Sequence, residues 1–534
     1  VDLNEESVEI AKLSLWLRTA QPNRKLNDLN NNIKCGNSLI DEQTVAGEKA
    51  FNWQQEFPQI FAKGGFDVVI GNPPYGVSFN ENETNYLQNF DKLVPDHEIY
   101  IYFISLYKII LRKNGMLSYI FPNTFLSNLY GVNYRENILK EVTLNEIIDL
   151  SKDNTFVDAS VRTIIFTFSN KRSNYKTVFS KVIEKDFRFI EEYDKLEILN
   201  EVHNIFSLFT QNKEEKKVIK KIRKHEPLKS FYKVSQGLIP YDKYRGHDEF
   251  TIKNRIWHSN IAKDDTYKKE LKGGDVSSYL INWNKNLWIS YGDWLAAPRE
   301  PKFFNSPRLL IREITGDKLL CSYTEEEFYN TPSLINIIQE ENNLGLKFSL
   351  VILNSKLIGW YHNKTSPKAN KGLFPKILVN DVRNIPLIEI SSSDQKPFVE
   401  KADVMLSLNK ELLEVSEKFK KYLQSKFQIE KLTKKLQGWY NLEFSEFIKE
   451  LNKAIKLANK QSLKEADGEE VVNALYIPTL TKKDEFEWLD LFEENKQKAQ
   501  DLQTQINQTD KEIDAMVYEL YGLSEEEIKI VEKS

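Results

Sequence analysis

The stretch Phe66-Asp67-Val68-Val69-Ile70-Gly71-Asn72-Pro73-Pro74-Tyr75-Gly76 constrains what this chain can fold into more than any other. Its first five residues, mostly apolar and β-branched, predict a buried strand that stops at Gly71. Asn-Pro-Pro-Tyr cannot prolong that strand. Each proline fixes its φ and lacks an N–H, so the segment is a stiff, extended turn. A turn of this kind at the carboxyl end of a strand in an open α/β sheet lies where ligands bind. The Asn72 side-chain oxygen and the Pro73 carbonyl can both accept hydrogen bonds from one planar –NH2 group. Tyr75 can stack on the ring that carries it. The plainer alternative is a Pro-Pro turn after a core strand.

The motif resembles that of S-adenosylmethionine-dependent amino-group methyltransferases, in particular the N6-adenine DNA methyltransferases. The resemblance implies a mechanism that explains the residue types. An aromatic amine is a poor nucleophile because its lone pair is delocalised into the ring. Two acceptors on its hydrogens, Asn72 and Pro73, favour sp³ geometry, which is catalysis by positioning and electrostatics. Pro74 and Tyr75 complete the motif. A second aromatic from a later loop packs on the flipped base in that family, and Phe156 occupies the matching place; its alternative is a core residue capping a strand. The family also holds cofactor ribose with an acid at a strand end, matched by Asp2 before the helical pattern of residues 7–17. An Asp there can equally be a helix cap. In Ile33-Lys34-Cys35-Gly36-Asn37-Ser38-Leu39, Asn37 matches the residue that reaches the cofactor adenine. The family's glycine loop and the strand before it precede the acidic strand, and neither is found here. The expectation is therefore a methyltransferase (Rossmann-like) α/β sheet incomplete at its N-terminus, which by itself binds cofactor weakly or not at all.

Downstream, residues 100–111 read as one buried helix ended by Lys113-Asn114-Gly115, and residues 116–122 as the next strand. A helix over 134–144, a strand over 146–150 and a strand ending at Phe168 follow. At 534 residues the chain exceeds one ordinary domain. Two distant cysteines, Cys35 and Cys321, exclude a disulfide framework. No zinc signature, Walker loop, nucleophile elbow or metal-binding nuclease constellation is recognisable. No apolar run is long enough to span a membrane, and the default compartment is cytoplasmic. The net charge of −4 hides an asymmetry. Residues 484–534 carry fifteen acids against five bases, which leaves the other 483 residues at +6. Residues 211–230 hold eight Lys/Arg against three Glu, the pattern of a solvated helix face. Residues 361–376 hold four lysines and no acid, and Lys364, Lys368 and Lys371 are the candidates for DNA phosphate contacts.

Residues 201–230 read as a helical connector. Residues 231–390 read as an α+β module of short strands, Arg308–Gly316 and Leu350–Leu357 among them, with aromatic-rich loops. Residues 391–534 read as a helical region built on an antiparallel pair. With residues 1–200 as the methyltransferase domain, this organisation resembles the modification and target-recognition part of type IIG restriction–modification enzymes. The resemblance implies double-stranded DNA as partner, a target adenine flipped out of the helix, S-adenosylmethionine as cofactor, and an upstream part of the same protein; the residues themselves offer no metal site. Two alternatives stay open: methyl transfer to another planar amine or amide, such as a protein glutamine or an RNA guanine, and a non-catalytic DNA-recognition fragment.

Overall fold

The computed structural model describes residues 1–20, 28–76, 78–95, 98–151, 162–283, 286–340, 344–366, 375–465 and 477–533. They form two compact units, residues 1–211 and 212–534.

The first unit is organised on six strands: β1 (Phe66–Gly71), β2 (Leu111–Pro122), β3 (Thr143–Asp149), β4 (Thr163–Ser169), β5 (Lys176–Ile183) and β6 (Asp186–Asp194). Their spatial order is β1-β2-β4-β3-β5-β6. The pairs β1–β2 and β3–β5 are parallel, and β4 runs antiparallel to both its neighbours. The sheet is therefore mixed, with β1, β2, β3 and β5 sharing one direction. Aromatic packing holds its covered face. Tyr100 stacks on Phe121 at 5.2 Å, and Phe125 sits edge-on to both Phe121 and Phe166. Arg135 is fully buried there and donates to the Val202 and Phe125 carbonyls at 2.9 and 2.8 Å.

Three expectations are corrected in this unit. β1 is not a buried strand: among the described residues it is an edge, paired with β2 alone, and Val68 and Ile70 are 60% and 77% exposed. An unpaired apolar edge of this kind is a pairing surface. The helix foreseen over 100–111 is two short helices, Ile99–Ser105 and Tyr107–Ile110. The strand after them already starts at Leu111, because Lys113-Asn114-Gly115 is an irregularity within it and not a helix stop. Asn114 takes φ +64° there, and a Cβ on Gly115 would lie 2.8 Å from the Phe66 carbonyl oxygen.

In the second unit an antiparallel sheet runs in the order Cys321–Thr324, Arg308–Arg312, Leu334–Gln339, Tyr232–Gln236. The run 350–357, expected as a strand, lies in two helices, Leu346–Asn354 and Lys356–Thr365. A continuous apolar run buried on all sides has no period that tells helix from strand. Asn354 ties the first helix to the sheet through paired bonds of 2.9 and 3.0 Å with Cys321. The basic helix Lys213–Ile222 buries Val218, Ile219 and Ile222 in the same core. Two long helices, Ser392–Phe427 and Lys482–Leu520, pack on that sheet layer. They continue into a second apolar cluster around the fully buried Trp439. No helix among the described residues is long and apolar enough to cross a membrane.

Candidate active site at the end of the first strand

β1 stops where its last residue must stay small. Gly71 faces Tyr119 across the pair, and a Cβ on it would lie 3.1 Å from that ring. Burial pushes the Tyr119 hydroxyl up to about 12, so this ring is a neutral, packed wall. Beyond Gly71 the chain leaves the sheet as Asn72-Pro73-Pro74-Tyr75, closed by Gly76 at φ +87°, a left-handed conformation that glycine adopts without strain. Pro73 is buried, while Asn72 and Pro74 are exposed. Tyr75 is half-buried and packs on the aromatic core of the unit. Among the described residues, nothing hydrogen-bonds the Asn72 carboxamide. An exposed acceptor beside a half-buried ring, on a proline-fixed backbone, can receive a planar group bearing an amine.

Asp2 and Asn37 lie on neighbouring segments. Asp2 forms a parallel bridge with Cys35, and its Oδ1 accepts from Asn4 N–H at 2.8 Å. The cap of the helix Glu5–Thr19 is Asn4, which accepts from Ser7 N–H at 3.1 Å, so Asp2 is not used as that cap. Asn37 is buried. Its Oδ1 accepts from Leu39 N–H at 3.1 Å, and its N–H donates to Lys49. Two sets of contacts join this segment to β1 and to the helix that follows the motif. Trp53, Phe57 and Phe61 pack edge-on against Phe66 at 5.5–6.1 Å. Beyond the motif, Tyr86 donates to Asp41 at 2.5 Å. The chain segments of Asn37 and Asn72 are thus held in one unit by contacts that neither motif announces.

The other sequence candidates fare differently. Phe156, Lys368 and Lys371 lie outside the described residues. Lys364 closes the helix Lys356–Thr365, and its ammonium pairs with the buried carboxylate of Glu215 at 2.7 Å. That pair couples two helices of the second unit.

Residues 1–156 match the Eco57I restriction-modification methylase family, and residues 268–387 match the TaqI-like C-terminal specificity domain. The chain is related to the type II restriction–modification enzymes. The span that matches the methylase family holds Asn72–Tyr75, Asp2 and Asn37, and the span that matches the specificity-domain family holds the antiparallel sheet except for the strand Tyr232–Gln236. Residues 391–517, the long-helix region, match a family described as a domain of unknown function (DUF8810). RM.MjaORFECS2P of Methanocaldococcus jannaschii, named as a type II restriction enzyme and methyltransferase, is 25% identical over 359 residues, 64% of this chain and 29% of that protein. The type II restriction enzyme and methyltransferase RM.Eco57I of Escherichia coli is 29% identical over 167 residues, 30% of this chain and 16% of that protein. The chain thus spans less than a third of the length of these relatives. Among solved structures, that of the type IIL restriction-modification enzyme MmeI in complex with DNA is similar, with a TM-score of 0.42 and 11% identity over 81% of this chain and 57% of that one.

Proposed function

We propose that this chain is the modification and target-recognition part of a restriction–modification protein, and that it transfers a methyl group to the N6 amine of adenine in double-stranded DNA. The observation that carries the reading is the exposed Asn72 carboxamide beside Pro73 and Tyr75, at the end of a parallel strand, within the span matched by a methylase family. Asn72 Oδ1 and the Pro73 carbonyl each accept one amine hydrogen, and Tyr75 stacks on the extruded base. No strong base is required, because the methylated amine is cationic and loses its proton readily.

The residues present fit S-adenosylmethionine as cofactor. The Asp2 carboxylate is exposed and suited to ribose hydroxyls, and the Asn37 carboxamide, its oxygen engaged by Leu39, offers its –NH2 to an adenine ring nitrogen. The cofactor supplies an electrophilic methylsulfonium when bound. The free edge of β1 supports the reading that a further strand completes the sheet beside the motif, and the bare Val68 and Ile70 on one face of β1 fit a covering element there. Phe156 is the candidate for the second stacking aromatic. Residues 231–390 are proposed as the target-reading part, in line with the specificity-domain match.

The test is methylation of plasmid DNA by the intact protein, with sequencing of the modified sites. N6-methyladenine at a defined sequence is expected, and its loss in Asn72→Ala. Methylation of glutamine in protein or guanine in RNA, with none in DNA, would replace this reading by its nearest rival.

A further inference from the structure

In the second unit a cleft of about 710 Å³ opens beside the small sheet built from Tyr267–Leu271, Trp288–Ser290, His258–Ser259 and Tyr329–Asn330. Its lining includes Tyr241, Lys253, Arg255, His258, Glu270 and Lys272. The Glu270 side chain is 2% exposed, whereas the three cations are all exposed, so a buried acid lies under a basic rim.

Hydrogen bonding sets the protons at the base of this cleft. Tyr241 Oη accepts from Trp257 N–H at 3.0 Å and shares a hydrogen bond of 2.8 Å with His258 Nδ1. With the tyrosine as donor in that bond, His258 carries an N–H on Nε2, 3.3 Å from Glu270 Oε2. The approach is misaligned: both atoms are buried, and neither is hydrogen-bonded. A buried carboxylate oxygen and an imidazole N–H left unsatisfied together are costly in a folded protein. Arg255 adds backbone strain, with φ at +49°. On the chain segments that carry the lining residues Tyr241 and Lys253, Tyr244 and Phe250 are 86% and 70% exposed, and Lys243 lies 4.7 Å over the Tyr244 ring. Bare aromatics alternating with cations form a surface suited to nucleic acid.

We infer that this cleft takes one nucleotide of the DNA target, its phosphate on Lys253, Arg255 and Lys272, and the exocyclic amine of its base on the Glu270–His258 pair. A ligand that is anionic at one end and an amine donor at the other matches the two halves of the cleft. Cations at phosphate fix register, whereas a carboxylate accepting from a base amine reads identity. Glu270 is then a specificity-determining residue and Tyr241 a positioning residue that holds the histidine tautomer. The inference rests on the proposed DNA substrate and names the part of the specificity region that reads it.

The experiment uses the intact protein and duplexes carrying the sequence it methylates. In Lys253→Ala/Arg255→Ala, binding should weaken equally on all duplexes, with the log–log salt slope shallower by about 2. Replacing one amine-bearing base of the target by a base without the amine should weaken wild-type binding about tenfold or more and leave Glu270→Met, which lacks a strong acceptor, unaffected. Methionine is close to glutamate in length, and the rim variant alters only exposed side chains, so a folding defect in the first leaves the second decisive. An unchanged salt slope in the rim variant overturns the inference. So does a folded Glu270→Met protein that discriminates fully, or free mononucleotides that bind the cleft as well as duplex does. Absence of any DNA methylation by the wild-type protein would refute the proposed function, while the salt slope of the rim variant on duplex of any sequence would still judge the cleft.

Discussion

At position 72, alanine would keep the turn, because Pro73 and Pro74 set the backbone, and would remove one of the two acceptors for the amine. Loss of such a preorganised polar contact costs about 3–4 kcal/mol of transition-state stabilisation. Asn72→Ala is therefore expected to reduce methyl transfer about 10²–10³-fold with duplex binding nearly intact, measured by single-turnover kinetics beside a binding titration. Normal turnover would remove the candidate site. Tyr75 is half-buried, so only part of its ring is available to a base. Tyr75→Phe should retain most activity. Tyr75→Ala should weaken stacking by roughly 1–3 kcal/mol. A fluorescent adenine analogue at the target would report it: the bright, unstacked state should be lost in the alanine variant and kept in the phenylalanine one.

Within the strand Arg308–Arg312, Arg308 is fully buried, has no carboxylate partner among the described residues, and donates instead to the carbonyls of Ser306, Glu326 and Phe328 at 2.8–3.0 Å. Burial pulls its guanidinium down to about 10, which leaves it charged at neutral pH. Arg308→Met should cost about 3–5 kcal/mol, since three carbonyls lose their donor. Urea unfolding of the variant checks this, and a change below 1 kcal/mol would show that the carbonyls are otherwise satisfied. In the helix Lys356–Thr365, burial lowers the proton affinity of His362, against the partial opposition of Asp381. The unfolded chain then binds the proton more tightly than the folded one. The stability tied to neutral His362 is present above the ordinary histidine value of about 6.5 and is lost as pH falls below it toward the depressed folded value. Thermal midpoints should therefore fall between pH 7 and 5, with a slope of at most about 1.4 kcal/mol per pH unit from this group. His362→Asn should flatten that slope, and an identical pH profile would assign the effect elsewhere.

Across the whole molecule, the division at residues 211 and 212 separates two cores, each with its own sheet. Residues 212–534 should therefore unfold cooperatively when produced alone and bind duplex DNA in a salt-dependent way. Circular dichroism and a binding titration at two ionic strengths would check both, and a molten product would show that this unit needs the other. The long helices belong to that same unit. Lys318 pairs with Asp510 and Asp514 at 2.7 and 2.9 Å, and the Lys356 N–H donates to Asp514 at 2.7 Å. The acidic C-terminal stretch is thus partly engaged in holding helix Lys482–Leu520 to the sheet layer of this unit.

What the sequence by itself determined was the local chemistry. Two prolines after a β-branched run force a strand end and a rigid turn, and no packing is needed to foresee where Asn72 and Tyr75 stand. The long helices were equally legible, because apolar residues at helical spacing among Lys and Glu carry their own period. Strand pairing was not. That β1 lies at an edge, with Val68 and Ile70 exposed, follows from which strands find it, a non-local outcome that its own residues do not encode. The 350–357 run was ambiguous because burial on every side leaves no period that tells helix from strand. Lys364 looked like a phosphate contact in sequence, but the fold placed Glu215 beside it. The Glu270–His258–Tyr241 arrangement left no sequence signal at all, since its members sit on separate elements and meet only when the small sheet closes. Spacing along the chain reports bonds between near neighbours; which charges become buried together is decided by tertiary packing.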